Sequence, residues 1–166
     1  MTEDSRTSAA ERVEIQRACR RDNAPTDQQF LHWLAPVLAL APPDASVCVR
    51  LVDAEESRTL NRQYRDRDAA TNVLSFPFEA PPGLEMLPLL GDLVICVDVV
   101  RDEAWAQGKS AEAHWAHMLT HGVLHLLGHD HQEDDEAERM EQLERKLLEQ
   151  LGFADPYVER IEAGPA

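Results

Sequence analysis

Most of the histidines of this chain lie in one short stretch. Six of its seven histidines fall between positions 114 and 131, and imidazole is the commonest metal-ligating side chain in proteins. The apolar residues among them recur at helical spacing, which predicts a helix here. On a helix, side chains four positions apart lie one turn apart on the same face, so His121 and His125 can bind one cation. The sequence therefore predicts a metal-binding helix.

A third ligand has to come from a chain that turns back toward this pair. His117 is too far to share a metal with both, because the rise from it to the second histidine is roughly 12 Å. Gly128 stands where the end of a helix favours a left-handed residue, and after that turn His131 can reach the pair. His129 competes with His131, and spacing alone does not decide between them. A chelate of His117 with His121 is also possible, but it lacks a nearby third partner.

Three imidazoles with an open fourth position are typical of a catalytic zinc site, since structural zinc sites are usually closed by four protein ligands. The spacing from His121 through Gly128 to His131 equals that of the metzincin proteases. However, Gly122 stands where those proteases have the glutamate that activates water. A metalloprotease-like hydrolase is therefore an alternative rather than the favoured interpretation.

Length and composition indicate an ordinary cytoplasmic domain. A chain of 166 residues is most simply one domain. It has no run of about 18 apolar residues that could span a membrane, and its polar start argues against a secretory signal. Cys19, Cys48 and Cys96 are widely spaced and form no Cys-x-x-Cys pair, which favours reduced thiols over a disulfide framework or a zinc ribbon.

The net charge of −15 would ordinarily count against a nucleic-acid partner. Much of the acid lies in residues 133–149, which we interpret as a solvated helix whose first-turn carboxylates suit the helix dipole. A local basic series lies elsewhere, so any affinity for a polyanion is expected to be local. Its members are Arg50, Arg58, Arg62, Arg65 and Arg67.

Interleaved strand and helix patterns predict one α/β (α+β) domain, with a small mixed β-sheet packed with helices. Residues 1–11 are expected to be a disordered lead, 12–153 the domain and 154–166 a C-terminal tail. The expected strands are 13–16, 47–52, 73–76 and 93–97. A capping box at Thr26 predicts a helix that Pro36 should kink or end. Asp53 and Ser110 should cap two further helices, and the last helix should run from about Asp134 to Gly152.

Three segments together resemble the YbeY family of bacterial endoribonucleases, over roughly residues 12–153. The first joins Leu60-Asn61-Arg62-Gln63-Tyr64-Arg65 with Thr71-Asn72-Val73-Leu74-Ser75-Phe76-Pro77. The second is Leu90-Gly91-Asp92-Leu93-Val94-Ile95, and the third is His121-Gly122-Val123-Leu124-His125-Leu126-Leu127-Gly128-His129-Asp130-His131. One departure is Ala70, where members usually have proline, which removes a stiff turn residue but no chemistry.

The resemblance implies a single α/β domain that binds one zinc ion per chain on His121, His125 and His131. It implies a cytoplasmic enzyme that cleaves single-stranded RNA, matures the 3′ end of small-subunit (16S) ribosomal RNA and acts in ribosome quality control. Expected partners are ribosomal RNA and the small ribosomal subunit with its associated proteins. An arginine that matters for activity in the family corresponds to Arg65.

Elementary chemistry agrees with that role for Arg65. Phosphodiester cleavage places negative charge on phosphoryl oxygens, and a guanidinium that is always charged can stabilise it. Arg58 and Arg62 recur at helical spacing and are candidates to bind the RNA backbone. Asn72 and Ser75 could line the cleft, although turn and strand roles suit them equally.

Asp130 could orient a ligand imidazole, close the metal site as a fourth ligand or be a plain turn residue. If Asp130 is a fourth ligand, the zinc would be structural, and the alternative to an enzyme is a non-catalytic, zinc-containing ribosome assembly factor.

Overall fold

The computed structural model describes residues 9–20, 24–84, 88–129 and 133–157. Its first five elements are α1 (Ala9–Arg12), β1 (Val13–Arg17), α2 (Asp27–Leu38), β2 (Ser46–Val52) and α3 (Ala54–Arg65). The remaining five are β3 (Val73–Pro77), β4 (Leu89–Cys96), α4 (Val97–Gln107), α5 (Ala111–Leu126) and α6 (Asp134–Gln150). The last residues of the expected N-terminal lead, from Ala9 on, thus belong to the single helical turn α1, which contacts β1.

The four strands form one mixed sheet in the order β1-β2-β4-β3. Strands β1, β2 and β4 run parallel, and β3 pairs antiparallel with β4 at the edge. The second half of β4 is buried, from Leu93 to Cys96, as expected for a strand that is covered on both faces. The predicted α/β domain with a small mixed sheet is therefore confirmed.

Helix α5 lies at the centre of the molecule. It contacts α2, α4 and α6 as well as strands β3 and β4. Leu119, Val123 and Leu124 of this helix are fully buried in the main hydrophobic core. Helix α3 contacts β2 and β4, where its Leu60 packs on a smaller apolar cluster that includes Leu74. The histidine helix is thus held by packing along most of its length.

The close packing of α5 on the sheet depends on Gly122. A Cβ atom at this position would lie 2.8 Å from Cδ2 of Leu93 and 3.4 Å from Cγ2 of Val73. Ser75 Oγ also donates a hydrogen bond to the carbonyl oxygen of Gly122 across 3.2 Å. Residue 122 therefore faces the sheet, and the absence of a metzincin-type glutamate here has a packing reason.

Most predicted helix ends match the structure, and two predicted local features match it only in part. Thr26 forms the full capping box, and the Ser110 hydroxyl accepts from the amide of Ala113. Helix α2, however, continues through Pro36 to Leu38. Of the two outcomes predicted for Pro36, a kink or an end, the helix does not end at the proline itself, because Pro36 lies in the last turn and the buried side chains of Val37 and Leu38 stabilise that turn.

Asp53 precedes α3 as predicted, but its side chain makes no capping hydrogen bond. The carboxylate accepts instead from the amide of Arg20, at 3.2 Å. Glu56, three positions after Asp53 in the first turn of α3, pairs with Arg50 across 2.8 Å. Partners outside α3 have thus replaced the partners within its first turn.

Among the described residues, no helix is both long and apolar enough to cross a membrane.

We expect Gly122→Ala to lower the free energy of unfolding by about 1–3 kcal/mol, because the added methyl group overpacks a tight contact. Urea unfolding measures this cost. The cost should shrink in a Leu93→Ala background, which makes room for the methyl group. An equal cost in both backgrounds would show that the contact with Leu93 is not its cause.

Candidate metal centre

Helix α5 ends in the turn that the sequence predicts. Gly128 has φ of +100°, in the left-handed region that glycine adopts without strain. The amide of Gly128 donates to the carbonyl oxygen of His125, and the amide of His129 donates to that of Leu124, both at 3.0 Å. This pair of bonds is the Schellman motif, and it ends the helix shortly after His125. His131, the predicted third ligand, and Asp130 lie outside the described residues.

The imidazoles of His121 and His125 converge. Their Nε2 atoms are 3.2 Å apart and their ring centroids 4.7 Å apart. Two nitrogens bound to a tetrahedral zinc ion at about 2.0–2.1 Å lie roughly 3.3 Å from each other. The donor atoms of this pair therefore fit two neighbouring positions of one zinc ion.

Both histidines line a cleft of about 660 Å³ beside strand β3. Arg65, the last residue of α3, lines the same cleft. Sequence positions 65 and 121 are far apart, so the fold brings the predicted catalytic arginine and the predicted metal pair together. The other lining residues are Asn72, Val73, Ser75, Pro77, His117, Met118, Gly128, His129 and Tyr157.

The other two predicted RNA-binding arginines are placed differently. Arg58 and Arg62 are exposed on α3, and neither belongs to the cleft lining. Arg58 forms a two-pronged ion pair with Asp68, with Nε–Oδ1 at 2.7 Å and Nη2–Oδ2 at 3.0 Å. This pairing lowers the pKa of Asp68, first through the hydrogen bond. The charge of Arg58 is thus already opposed locally.

A buried polar group that sequence reasoning missed lies behind His121. Glu144 of α6 is fully buried, and its carboxylate contacts Nδ1 of His121 and the hydroxyl of Tyr157. Nε2 of His117 lies 3.6 Å from Oε1 of this carboxylate. Donor atoms of His117, His121 and Glu144 all lie within 4.8 Å of one another, so this cluster is a second arrangement that could hold a metal.

Glu144 was included in the acidic run that we interpreted as a solvated helix, and for this residue that interpretation was wrong. A signal was present, because position 144 falls on the apolar stripe of α6. It lies one turn after Met140 and one turn before Leu148, both of which are buried. A carboxylate among such neighbours needs a partner, and the histidine helix provides one.

A second carboxylate–imidazole pair joins α4 to α5. His114 is buried, and its Nε2 lies 2.8 Å from Oε1 of Glu103 on α4. The same carboxylate accepts two contacts from Nδ2 of Asn72, at 3.0 and 3.2 Å. Asn72 also lines the cleft, so this group fixes the start of β3 against α4 and α5.

Comparison with known proteins identifies the family. The profile described as endoribonuclease YbeY matches residues 14–152 of this chain. This chain belongs to the YbeY family. The match includes Arg65, His121 and His125, and it ends before Tyr157.

A structural neighbour shares the fold of this YbeY-family chain. The solution structure of TM1509 from Thermotoga maritima has a TM-score of 0.57 and 24% sequence identity. The similarity covers 87% of this chain and 99% of the other. At this identity the likeness concerns the fold.

Burial lowers the pKa of His114 below 6.5 and outweighs the opposite effect of its hydrogen bond with Glu103. The unfolded chain therefore binds more protons at this position once the pH falls below about 6.5. We expect the free energy of unfolding of the wild type to fall, relative to that of His114→Asn, as the pH drops from about 8 to 5.5. Denaturant unfolding at each pH measures the difference.

The matched control for this measurement is His32→Asn, which removes an exposed imidazole from α2. The same pH trend in both variants would show that it does not arise from the buried imidazole.

Proposed function

We propose that this protein is a zinc-dependent, single-strand-specific endoribonuclease that matures the 3′ end of small-subunit (16S) ribosomal RNA and acts in ribosome quality control. The observation that carries the proposal is the convergence of His121 Nε2 and His125 Nε2 in a cleft that Arg65 also lines. Membership in the YbeY endoribonuclease family supports RNA as the substrate. The cytoplasm and the small ribosomal subunit with its proteins are the proposed setting.

The proposed ligands of one zinc ion per chain are His121, His125 and His131. The first two lie one helical turn apart, and the left-handed turn at Gly128 ends the helix three positions before the third, which supports the assignment. His121 and His125 are only partly buried and open into the cleft. A substrate can therefore reach a metal held at this point.

A bound zinc ion supplies a Lewis acid that polarises a phosphoryl oxygen and favours deprotonation of water. The residues that line the cleft would position the substrate beside this ion. Arg65 has a permanent charge and lines the same cleft, so we propose that it stabilises the charge that develops on the phosphoryl oxygens in the transition state. It is the proposed catalytic residue.

Arg58 and Arg62 are the proposed contacts for the RNA backbone outside the cleft. Arg62 is exposed on the same helix as Arg65, where it can neutralise a phosphate. Arg58 should contribute less, because Asp68 already opposes its charge. Since the whole chain carries a charge of −15, binding should depend on these few arginines and weaken as salt rises.

We expect alanine substitution of His121, His125 or His131 to remove most of the bound zinc, because two remaining imidazoles hold the metal weakly. Elemental analysis of the purified variants measures zinc per chain. His32→Ala, on the exposed side of α2, is the control. If His129→Ala or His117→Ala emptied the site while His131→Ala kept its zinc, the ligand assignment would be wrong.

We expect Arg65→Ala to keep its zinc and its melting temperature but to lose cleavage, because a transition-state donor is absent. The loss should be on the order of 10²–10³ in single-turnover rate at saturating RNA. The substrate is single-stranded RNA that contains the 3′ precursor of small-subunit ribosomal RNA. Arg67→Ala, which removes an exposed arginine outside the cleft lining, is the control.

Near-normal cleavage by Arg65→Ala with saturating RNA would refute a catalytic role for the arginine. Failure of the zinc-loaded wild type to cleave the RNA would refute the proposed enzyme. Casein is the parallel substrate, and its hydrolysis would favour a protease instead.

A further inference from the structure

The buried carboxylate of Glu144 contacts His121, one of the proposed metal ligands. It projects from α6 toward α5 and has no exposed surface. Removing a carboxylate from water is costly unless hydrogen bonds or opposite charges compensate. The groups that contact this carboxylate must therefore compensate for the cost of its burial.

Each oxygen of this carboxylate has its own partner. Oε2 contacts Nδ1 of His121, and Oε1 contacts the hydroxyl of Tyr157. A carboxylate oxygen accepts hydrogen bonds, whereas an imidazole N–H and a phenol O–H donate them. Since Oε2 lies on Nδ1 of His121 and Oε1 on the hydroxyl of Tyr157, Nδ1 of His121 carries the proton of their shared bond.

The tautomer of His121 follows from this bond. With the proton on Nδ1, the lone pair of a neutral imidazole is on Nε2. This is the atom that lies 3.2 Å from Nε2 of His125 in the cleft. The carboxylate on one side of the ring therefore determines the donor atom on the other.

Tyr157 holds the second oxygen of Glu144 and is itself held in place. Burial, followed by the hydrogen bond with Glu144, raises the pKa of Tyr157 well above its ordinary value, so the phenol donates its proton to the carboxylate. The amide of Tyr157 donates to Oδ1 of Asp155 at 2.8 Å, and Arg145 pairs with Oδ2 of Asp155 at 2.9 Å. The guanidinium of Arg145 also lies 5.5 Å from the centre of the phenol ring.

We propose that Glu144 is a positioning residue that fixes the ring orientation and the tautomer of His121 for metal binding through Nε2, with Tyr157 holding the carboxylate in place. This inference rests on the proposed function in one respect, namely that His121 is a metal ligand. Carboxylates that accept from the second nitrogen of a ligand histidine commonly raise the basicity of the ligand and order its ring.

The competing arrangement uses His117, His121 and Glu144 as direct ligands. Because Nδ1 is the nitrogen of His121 that contacts Glu144, an ion held between these two groups would bind Nδ1 and replace their hydrogen bond. The full burial of Glu144 would leave little room for a substrate at that ion. The two arrangements thus differ in which nitrogen of His121 binds the metal.

Long-range ¹H–¹⁵N correlation spectra of the full chain, with and without added zinc, distinguish the two arrangements. We expect His121 to carry its proton on Nδ1 in both spectra and its Nε2 resonance to shift when zinc binds. A zinc-induced shift on Nδ1 would overturn the proposal, because Glu144 would then be a ligand or its bond would be absent.

The matched variants are Glu144→Gln and Glu149→Gln, since Glu149 is exposed on the same helix. In zinc titrations against a chelator, we expect Glu144→Gln to lose about 10–100-fold in affinity and Glu149→Gln to stay unchanged. Wild-type zinc affinity and tautomer in folded Glu144→Gln would overturn the proposal.

Tyr157→Phe provides a test if Glu144→Gln does not fold, because it removes one hydrogen bond and keeps the carboxylate. We expect a smaller loss of zinc affinity and a broader His121 signal, and wild-type values for both would remove Tyr157 from the proposal. These readouts involve no RNA. A protein that binds zinc as expected but cleaves no RNA would refute the proposed function and leave the role of Glu144 intact.

Discussion

Helix α5 packs against the sheet at a distance that only a residue without a side chain permits, and the geometry of the cleft depends on this contact. Gly122 lies on Leu93, and its carbonyl oxygen accepts from Ser75 of the edge strand. The residue before it, His121, then faces the space beside that strand. Because α2, α4 and α6 also contact the helix, α5 has little freedom to rotate. The direction of the two imidazoles is thus determined by the core.

Charge is distributed unevenly around this helix. Two carboxylates, Glu103 and Glu144, lie behind it, and each is paired with a histidine. A guanidinium, that of Arg65, lies on the cleft side. An anionic substrate would therefore meet the positive group directly, while protein atoms and imidazole rings separate it from the fully buried carboxylate of Glu144. This arrangement explains how a chain of such acidic composition can still offer a local site for a polyanion.

Features encoded by neighbouring residues were predictable from the sequence, and features encoded across the fold were not. The alternating and apolar runs located all four strands, and the capping residues and Gly128 located the ends of α5, because each signal acts within one turn of the chain. The side chain of Asp53 did not cap its helix, since Arg20 offered a distant partner. The place of Glu144 on the apolar stripe of α6 could have indicated its burial, but its partner His121 is far away in sequence and was not predictable. The third proposed ligand, His131, stays a prediction.

The contact between Tyr157 and Glu144 has a consequence for where the protein can be shortened. The family match ends at residue 152, and a chain cut there would retain every strand and helix described above. It would nevertheless lose the phenol that lines the cleft and hydrogen-bonds to the buried carboxylate. The part of the chain that the family profile matches is therefore shorter than the part that supplies the described lining of the cleft, so a shortened protein should extend at least to Tyr157.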